Sequence, residues 1–468
     1  MMSLFLNRRG PIITEILAMW QLSWPVLVGQ LATVGMSVAD VAMTGHVSAD
    51  DLAAVALASS IWSIVIVTIM GAMMAVNAVV AHEVGAGTHG TIAPIVRQSL
   101  WMALGIGVLA CVAMNISTLV FDHIGLTDFV RDKAVAFVHI ISIGLPPFAL
   151  YRVLYGYSAS LNQTKPAMVI ALLALALNIV MNWVLIYGYW GFPALGALGC
   201  AWSTGAMMWL MLAALAWWIR RAAPYQSSMP LRQFASPCWP EIARMLKIGV
   251  PIGIAYCAEV SAFAVVGLLV ARFGVVSIAA HQIALNFISL VFMVPLSIGI
   301  GLVTRVGMAV GEGDPVRARF VSWVGFGIAL GFGVLSASLI IVFRHQIAAG
   351  YTSDPQVQAL TVRLLWLAAL FQLSDSTQVA AASAIRGYKL TRPTMVIHLL
   401  AFWGCAVPLG CLLGLVPDWI PGVSMQPMAT IGFWIGLVVG LTVAAVLLTG
   451  YLYRLSERRV KAVCLLQA

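Results

Sequence analysis

Long apolar stretches alternate with short polar connections along the whole chain. Most of the stretches hold 20 to 30 residues, and about 20 apolar residues in a helix cross the hydrocarbon core of a bilayer. Helices satisfy their own backbone hydrogen bonds, as lipid requires. The pattern therefore predicts an all-α polytopic membrane protein with twelve transmembrane helices. The predicted spans are residues 13–42, 53–80, 98–121, 135–158, 167–188, 195–219, 245–271, 278–305, 320–343, 358–383, 394–416 and 429–453.

An internal repeat relates the two halves of the chain. Residues 25–87 align without gaps with residues 251–313 at an offset of 226, and residues 164–170 match residues 391–397 at an offset of 227. Halves of six spans each have the same orientation, and such parallel repeats pack about an axis along the membrane normal. The repeat predicts two pseudo-symmetric six-helix lobes. Their predicted limits are 1–219 for the amino-terminal lobe, 220–244 for a cytoplasmic connection, and 245–468 for the carboxy-terminal lobe with a short cytoplasmic tail.

Composition excludes a soluble protein and charge sets the orientation. Of the 468 residues, 62% are hydrophobic and 9% charged, whereas soluble domains carry about 25% charged residues. The net charge of +9 does not indicate a nucleic-acid partner, because the basic residues are scattered among the connections. Nineteen of the 25 Lys and Arg residues fall on the side of the two termini. Positively charged connections stay in the cytoplasm, which predicts cytoplasmic termini.

Three acidic residues lie in the middle of apolar stretches: Asp40, Glu259 and Asp375. A carboxylate at membrane depth costs about 2.5–3.5 kcal/mol on insertion scales and usually faces a cavity that takes an ion, a proton or a cationic ligand. Two carboxylates in one low-dielectric pocket cannot both stay charged unless they share a cation or proton. Glu259 and Asp375 are therefore interpreted as a shared cation site. The alternatives are separate neutral acids, and for Asp40 a hydrogen bond to a neighbouring helix.

Two asparagines and a proline extend this picture around Asp40. Asn178 and Asn182 are four residues apart, so they share one helical face. With Asp40 they could form a polar pocket, although hydrogen bonding between helices explains them equally well. Pro25 removes a helical hydrogen bond fifteen residues before Asp40, which predicts a kink and a hinge in the first span.

Signatures of other function classes are missing from the sequence. It contains no HExxH, GxSxG or Walker motif, so neither an enzyme nor a nucleotide-driven pump is predicted. The seven cysteines show no CxxC spacing and mostly lie in apolar runs, so no disulfide framework is predicted.

Several short segments, taken together, resemble the multidrug and toxic compound extrusion (MATE) transporters. The similarity covers essentially the full length, and the set of acids is similar to that of the NorM-like branch. The segments are Pro25 to Gln30, Asp40 to Gly45, Asp51 to Ala56, Asn182 to Gly188, Gly196 to Cys200, Ala279 to Asn286 and Ile385 to Lys389.

The resemblance implies a bacterial inner-membrane antiporter that exchanges Na⁺ or H⁺ for cationic drugs and dyes by alternating access. It implies no cofactor besides the coupling ion, and a monomer in the lipid bilayer. The implied amino-terminal polar site is Asp40, Asn178, Asn182 and Thr204, and the implied cation site is Glu259 with Asp375, which would also hold Na⁺. The implied substrate-binding residues are Asp40, Ser60, Gln282, Asp354 and Asp375.

One position departs from the family pattern. Some members carry a tyrosine four residues before the last acid, where this chain has Phe371. A ligand role of that tyrosine is lost, so the coupling ion stays open between Na⁺ and H⁺.

Three other functions have less support in the sequence. A flippase for lipid-linked precursors would need basic residues in its cavity to meet phosphate, and almost all Arg and Lys residues lie in connections. A membrane-embedded enzyme would need a catalytic constellation, and a passive channel a filter sequence. The sequence shows neither.

Overall fold

The computed structural model describes residues 10–123, 127–415 and 428–467, and these ranges are helical without any strand. The described residues contain twelve helices long and apolar enough to span a membrane, one for each predicted span, so the predicted fold class is confirmed. They are α1 Pro11–Gly45, α2 Ala49–Gly85, α3 His89–Ser117, α4 Asp128–Ser160 with a break at 143–144, α5 Lys165–Tyr187, α6 Ala197–Arg221, α7 Trp239–Val270, α8 Val275–Gly311, α9 Pro315–Tyr351, α10 Pro355–Gly387, α11 Arg392–Leu415 and α12 Ala429–Gln467. The predicted start of the amino-terminal lobe, before residue 10, lies outside the described residues.

Most helices run further than the apolar stretches that predicted them. Helix α3 begins at His89 rather than near residue 98, and α12 continues to Gln467 rather than ending near residue 453. Hydropathy marks only the part of a helix that matches lipid, whereas the backbone hydrogen-bond ladder continues through polar residues until a capping or breaking residue ends it. The spans were therefore located correctly, but they were predicted too short, with starts placed too late or ends placed too early.

Packing divides the chain inside two helices rather than at the central connection. The amino-terminal unit comprises Trp24–Ile254, and the carboxy-terminal unit comprises the described residues up to Ser23 and those from Ala255 onward. The predicted limits at 219 and 245 differ from this division. The first third of α1 belongs to the carboxy-terminal unit, while the connection and the start of α7 belong to the amino-terminal unit.

An ion pair attaches the start of α1 to the carboxy-terminal unit. The Arg305 guanidinium on α8 donates to both carboxylate oxygens of Glu15, with Nε–Oε1 2.7 Å and Nη2–Oε2 2.5 Å, and Glu15 is buried. Met19, one turn after Glu15, packs in a hydrophobic cluster of the carboxy-terminal unit, against Gly325. Bidentate pairs of this kind are strong and directional, so these contacts outweigh sequence proximity.

The central connection is packed onto the amino-terminal unit. Gln98 of α3 donates to the Ser236 carbonyl at 2.9 Å and accepts from the Cys238 amide at 2.8 Å. Trp101 Nε1 donates to the Ala235 carbonyl at 2.9 Å. Side chains of α3 thus satisfy backbone groups of the connection, which fixes this segment to α3.

The start of α7 also packs on the amino-terminal unit, through two glycines. A Cβ on Gly249 would lie 2.6 Å from the Ala72 carbonyl oxygen of α2, and one on Gly253 would lie 3.1 Å from the Thr68 carbonyl oxygen. At Gly249 only a residue without a side chain allows this backbone approach, and at Gly253 a Cβ would be tightly packed.

Helix α1 continues through Pro25 as a single helix. The boundary between the two units falls just before it, between Ser23 and Trp24. The predicted hinge is therefore located where α1 passes from one unit to the other, and its movement remains a prediction.

Candidate cation sites

The Asp40 carboxylate is held by side chains from two other helices of the amino-terminal unit. Asn182 Nδ2 of α5 donates to Oδ1 at 2.6 Å, and Thr204 Oγ1 of α6 donates to Oδ2 at 2.9 Å. Both carboxylate oxygens therefore have a neutral donor. Hydrogen bonds to the charged form stabilise it without cancelling its charge.

A second row of polar groups lies behind this carboxylate. Asn182 Nδ2 also lies 3.3 Å from Asn178 Oδ1, and Asn178 Nδ2 donates to Ser203 Oγ at 3.2 Å. These three side chains are fully buried. The structure thus brings together the four residues predicted for this site. It adds Ser203, which sequence reasoning missed because a serine in an apolar helix gives no distinctive signal.

The Asp40 carboxylate has neutral donors, and a free acceptor lies beside it. Within residues 10–123, 127–415 and 428–467, no Lys, Arg or His nitrogen forms an ion pair with Asp40. In the same described part, the buried Asn182 Oδ1 has no hydrogen-bond partner. Asp40 itself is half-buried. A half-buried carboxylate beside an amide oxygen can receive a cation or a proton.

The end of α5 packs closely against the start of α6, next to this site. Gly188 ends α5 in the left-handed conformation, with φ +78°. A Cβ on Gly199 of α6 would lie 2.6 Å from the Leu185 carbonyl oxygen. The close contact fixes the two helices that carry the donors to Asp40.

Glu259 of α7 and Asp375 of α10 form the second carboxylate cluster, in the carboxy-terminal unit. The two side chains interact electrostatically. Gln378 Nε2 lies 3.5 Å from Glu259 Oε1, a long hydrogen bond. Asp375 is 2% exposed, and among the described residues its Oδ1 has no hydrogen-bond partner. The predicted pair is brought together, but its hydrogen bonding is incomplete.

A buried arginine lies beside Glu259, although the sequence placed almost all Arg and Lys residues in connections. Arg386 of α10 is 4% exposed and interacts electrostatically with Glu259. Its Nη1 donates to Tyr256 Oη at 3.2 Å. Sequence position assigned Arg386 to a connection because it lies near the end of an apolar stretch, but α10 continues to Gly387 and α7 covers it.

An aromatic layer covers the helical turn next to both acids. Phe263, one turn after Glu259, packs against Phe371, one turn before Asp375, with ring centroids 5.8 Å apart. Phe371 also meets Trp434 of α12 at 6.4 Å. The buried phenyl ring offers no oxygen, which agrees with the loss of the tyrosine hydroxyl noted in the sequence.

Helix α11 contributes a distorted segment beside Glu259. Residues Leu400–Ala406 form a π-helical turn. Its Trp403 Nε1 donates to the Ala258 carbonyl at 3.1 Å and lies 3.2 Å from Ser261 Oγ. Such π turns are frequent at functional sites. The hydropathy of this span gave no sign of it.

The remaining predicted substrate-binding residues, Ser60, Gln282 and Asp354, are exposed. The hydrogen bonds of Ser60 and Asp354 are made to groups outside the two carboxylate clusters. Ser60 Oγ donates to the Ala56 carbonyl of its own helix. Asp354 caps α10 by accepting from the Gln356 and Val357 amides at 2.8 and 3.3 Å. Gln282 is exposed on α8. Asp354 thus has a structural role as an N-cap, and a substrate role for these three residues stays a prediction.

Comparison with known proteins places the chain among membrane transporters. A family model described as MatE matches residues 25–184 and again residues 251–412, and the two starting positions reproduce the offset of 226 found within the sequence. The chain is 41% identical to the multidrug resistance protein PmpM of Pseudomonas aeruginosa, over 97% of this chain and 95% of that one. It is 40% identical to a probable multidrug resistance protein NorM of Chromobacterium violaceum, over 97% of both chains.

Solved structures show the same fold at low sequence identity. The eukaryotic MATE transporter AtDTX14 superposes with a TM-score of 0.86 at 19% identity, covering 97% of this chain and 99% of that one. An outward-facing multidrug resistance MATE family transporter superposes with a TM-score of 0.83 at 19% identity, covering 95% and 96%. The twelve-helix architecture is thus shared by chains whose sequences have diverged widely.

Proposed function

Since the chain belongs to the MatE family, we propose that it is a secondary multidrug antiporter that exports amphipathic organic cations in exchange for Na⁺ or H⁺. Full-length relatives at about 40% identity that carry the name multidrug resistance protein support this proposal. The two carboxylate clusters supply the chemistry that such an exchange needs.

The buried Asp375 carboxylate carries the proposal. Within the described residues its Oδ1 has no hydrogen-bond partner, and a second acid, Glu259, lies within electrostatic range. Burying a charge without a compensating partner costs roughly several kcal/mol of folding free energy, even after the protein relaxes around it. A proton or a hard cation removes that cost, because oxygen ligands suit both. The coupling ion is therefore proposed to bind at Glu259 and Asp375.

Arg386 limits how much positive charge this cluster holds. One arginine beside two carboxylates leaves one negative charge in excess, which matches one monovalent cation or one proton. The amide oxygen of Gln378 is buried and, in the described part of the chain, without a hydrogen-bond partner. It is proposed as an additional oxygen ligand if the ion is Na⁺.

The Asp40 site is proposed to take the organic cation, or the coupling ion, in the opposite phase of the cycle. Its half-buried carboxylate attracts positive charge, and its neutral donors hold the carboxylate in place. Binding of the coupling ion weakens the hold on the drug and releases it outside. We propose that α1 bends at Pro25 during this change.

The decisive experiment measures ethidium efflux from proteoliposomes under an imposed Na⁺ gradient, and separately under an imposed pH gradient. Wild type is compared with D40N, E259Q and D375N. The matched control is D132N, since Asp132 is an exposed acid on α4 that pairs with its neighbour Arg131. Gradient-driven efflux that survives in D132N and is lost in the three others supports the proposal, and the effective gradient identifies the ion. Efflux that is unchanged in all four variants overturns it.

The proposed location is the bacterial inner membrane, with a monomer whose termini are cytoplasmic. Cys238, exposed in the central connection, offers a direct test. A membrane-impermeant maleimide should label Cys238 in inverted vesicles but not in intact spheroplasts. Labelling in intact spheroplasts would reverse the proposed topology.

A flippase for lipid-linked precursors is the second candidate, and buried Arg152 is the observation that favours it. Its Nε has no hydrogen-bond partner within the described residues, and its guanidinium lies 4.7 Å from the Tyr155 ring centroid. A phosphate could pair with such a group. Retained ethidium efflux in R152Q favours the antiporter, whereas gradient-independent translocation of a fluorescent lipid-linked pyrophosphate that R152Q abolishes favours the flippase.

A further inference from the structure

Asp51 is a buried carboxylate that is not among the three acids in the middle of apolar stretches. It lies in the first turn of α2 and is 3% exposed. Its Oδ1 accepts from Lys133 Nζ of α4 at 2.8 Å and lies 3.3 Å from the Ala197 amide of α6. Its Oδ2 accepts from Ser48 Oγ, the N-cap of α2, at 2.7 Å. One carboxylate therefore joins the first turns of α2 and α6 to the second turn of α4.

The backbone before α6 is shaped to meet this carboxylate. Gly196 has φ +55° and ψ −130°, and a Cβ there would lie 3.3 Å from both Asp51 oxygens. Just before it, the Leu195 amide donates to the Leu185 carbonyl at the end of α5, at 3.0 Å. A carboxylate at a helix N-terminus also meets the positive end of the helix dipole. Asp51 thus fixes where α6 begins.

The start of α6 determines where the donor to Asp40 lies. Thr204 is seven residues after Ala197, about two helical turns along one continuous helix. A shift at the first turn of α6 is therefore carried to Thr204 Oγ1, which lies 2.9 Å from Asp40 Oδ2. Asp51 also follows Asp40 closely in the chain, through the short turn between α1 and α2.

We propose that the Asp51–Lys133 pair is a positioning device that holds α6, and with it Thr204, against the Asp40 carboxylate. Its role in transport rests on the proposed antiport function, whereas its role in the geometry of the Asp40 site does not. Asp51 and Lys133 touch neither drug nor ion in this proposal, and they act through α6.

The transport test compares D51N and K133Q with K133R, T204V and D132N in proteoliposomes that show ethidium efflux. D51N and K133Q are expected to raise the ethidium KM and the half-maximal coupling-ion concentration at least 5-fold, with less than a 2-fold change in kcat. K133R keeps the positive charge, and D132N changes an exposed acid next to Lys133. Both variants should keep the ethidium KM and the half-maximal coupling-ion concentration within 2-fold of wild type. The ethidium KM of the double variant D51N/T204V should lie within 2-fold of that of T204V, because both changes act on the same hydrogen bond.

Cys200 supplies a readout that does not depend on transport. It is buried on α6, one turn before Thr204, and contacts Asp40 and Thr204. N-Ethylmaleimide labelling of the full-length protein, quantified for each cysteine by mass spectrometry, should be at least 5-fold faster at Cys200 in D51N and K133Q than in wild type. Cys257, half-buried two residues before Glu259 in the carboxy-terminal unit, should change less than 2-fold.

The transport and labelling measurements distinguish failure of the positioning role from failure of the proposed antiport function. Unchanged KM values and unchanged Cys200 labelling in D51N and K133Q overturn the positioning role. Faster labelling of Cys200 and Cys257 together indicates general loosening and also overturns it. Should wild type show no gradient-driven efflux, the proposed function fails, while selective labelling of Cys200 in D51N still supports Asp51 as the residue that holds the Asp40 site.

Discussion

The two carboxylate clusters differ in how their negative charge is accommodated. Asp40 has a neutral donor on each oxygen, from Asn182 and Thr204. Asp375, deeper in its unit, leaves one oxygen without a partner in the described structure, and the charge near it is Glu259, which in turn interacts with Arg386. The Asp40 carboxylate has a donor on each oxygen, whereas the hydrogen bonding of Asp375 is incomplete.

This difference indicates a division of labour. A pre-formed site gives directional binding with little reorganisation, which suits recognition of a cation. An under-satisfied buried site gains most from a small charged ligand, so its occupancy can shift a conformational equilibrium. We therefore propose coupling mainly at Glu259 and Asp375, and recognition of the substrate or ion mainly at Asp40.

The largest effect is expected for D375N. Gradient-driven ethidium efflux should fall about 100-fold, equivalent to about 2.7 kcal/mol, because an amide no longer binds the coupling ion as a carboxylate does. Thermal unfolding in detergent without Na⁺ should occur at a higher temperature than in wild type, since the buried charge is gone. Lower stability together with normal transport would contradict the assignment of coupling to this cluster.

The second effect concerns Arg386. R386Q should lower the free energy of unfolding by about 3–5 kcal/mol, the usual cost of removing one partner from a buried charge pair, because Glu259 and Asp375 then repel without compensation. The double variant E259Q/R386Q should recover much of that loss. R317Q, which removes an exposed arginine paired with Glu312, is the control and should have little effect.

D40N should act on stability in the opposite direction to D375N. The amide group that replaces one oxygen faces a donor, so one hydrogen bond to Asn182 or Thr204 is lost. Hydrogen bonds to charged groups contribute about 1.5–3 kcal/mol, and the free energy of unfolding should fall by about that amount. Equal shifts of the unfolding temperature in D40N and D375N would remove the proposed distinction between the two clusters.

The smallest effect is a pH dependence of stability due to Asp51. Burial opposes its ionisation, but the hydrogen bonds from Lys133, Ser48 and Ala197 outweigh burial and hold the pKa below its ordinary value of 3.8. Such a group stabilises the fold above its unfolded-state pKa, and that stability is lost as the pH falls through the lower folded-state pKa. Wild type should lose more stability than D51N on acidification below about pH 4. Parallel unfolding profiles for the two proteins would show that Asp51 contributes nothing.

Much of the candidate site could be predicted because acids inside apolar stretches are conspicuous. Asp40, Glu259 and Asp375 were identified from their surroundings in the sequence, and the helical spacing of Asn178 and Asn182 placed both on one face. Asp51, Arg386 and Ser203 were missed. The first two lie near the ends of apolar stretches, where a charge normally reaches water, and only neighbouring helices bury them. Ser203 gives no local signal at all.

The sequence by itself determined the number of helices and the internal repeat, because lipid requires long apolar helices whatever their packing partners. Only the tertiary structure decided which unit each segment joins. Glu15 pairs with Arg305, some 290 residues away, and α3 holds the central connection. It also decided which carboxylates are satisfied. Hydrogen-bond partners of Asp40 come from helices more than 140 residues further along the chain, and periodicity within one segment carries no information about such contacts.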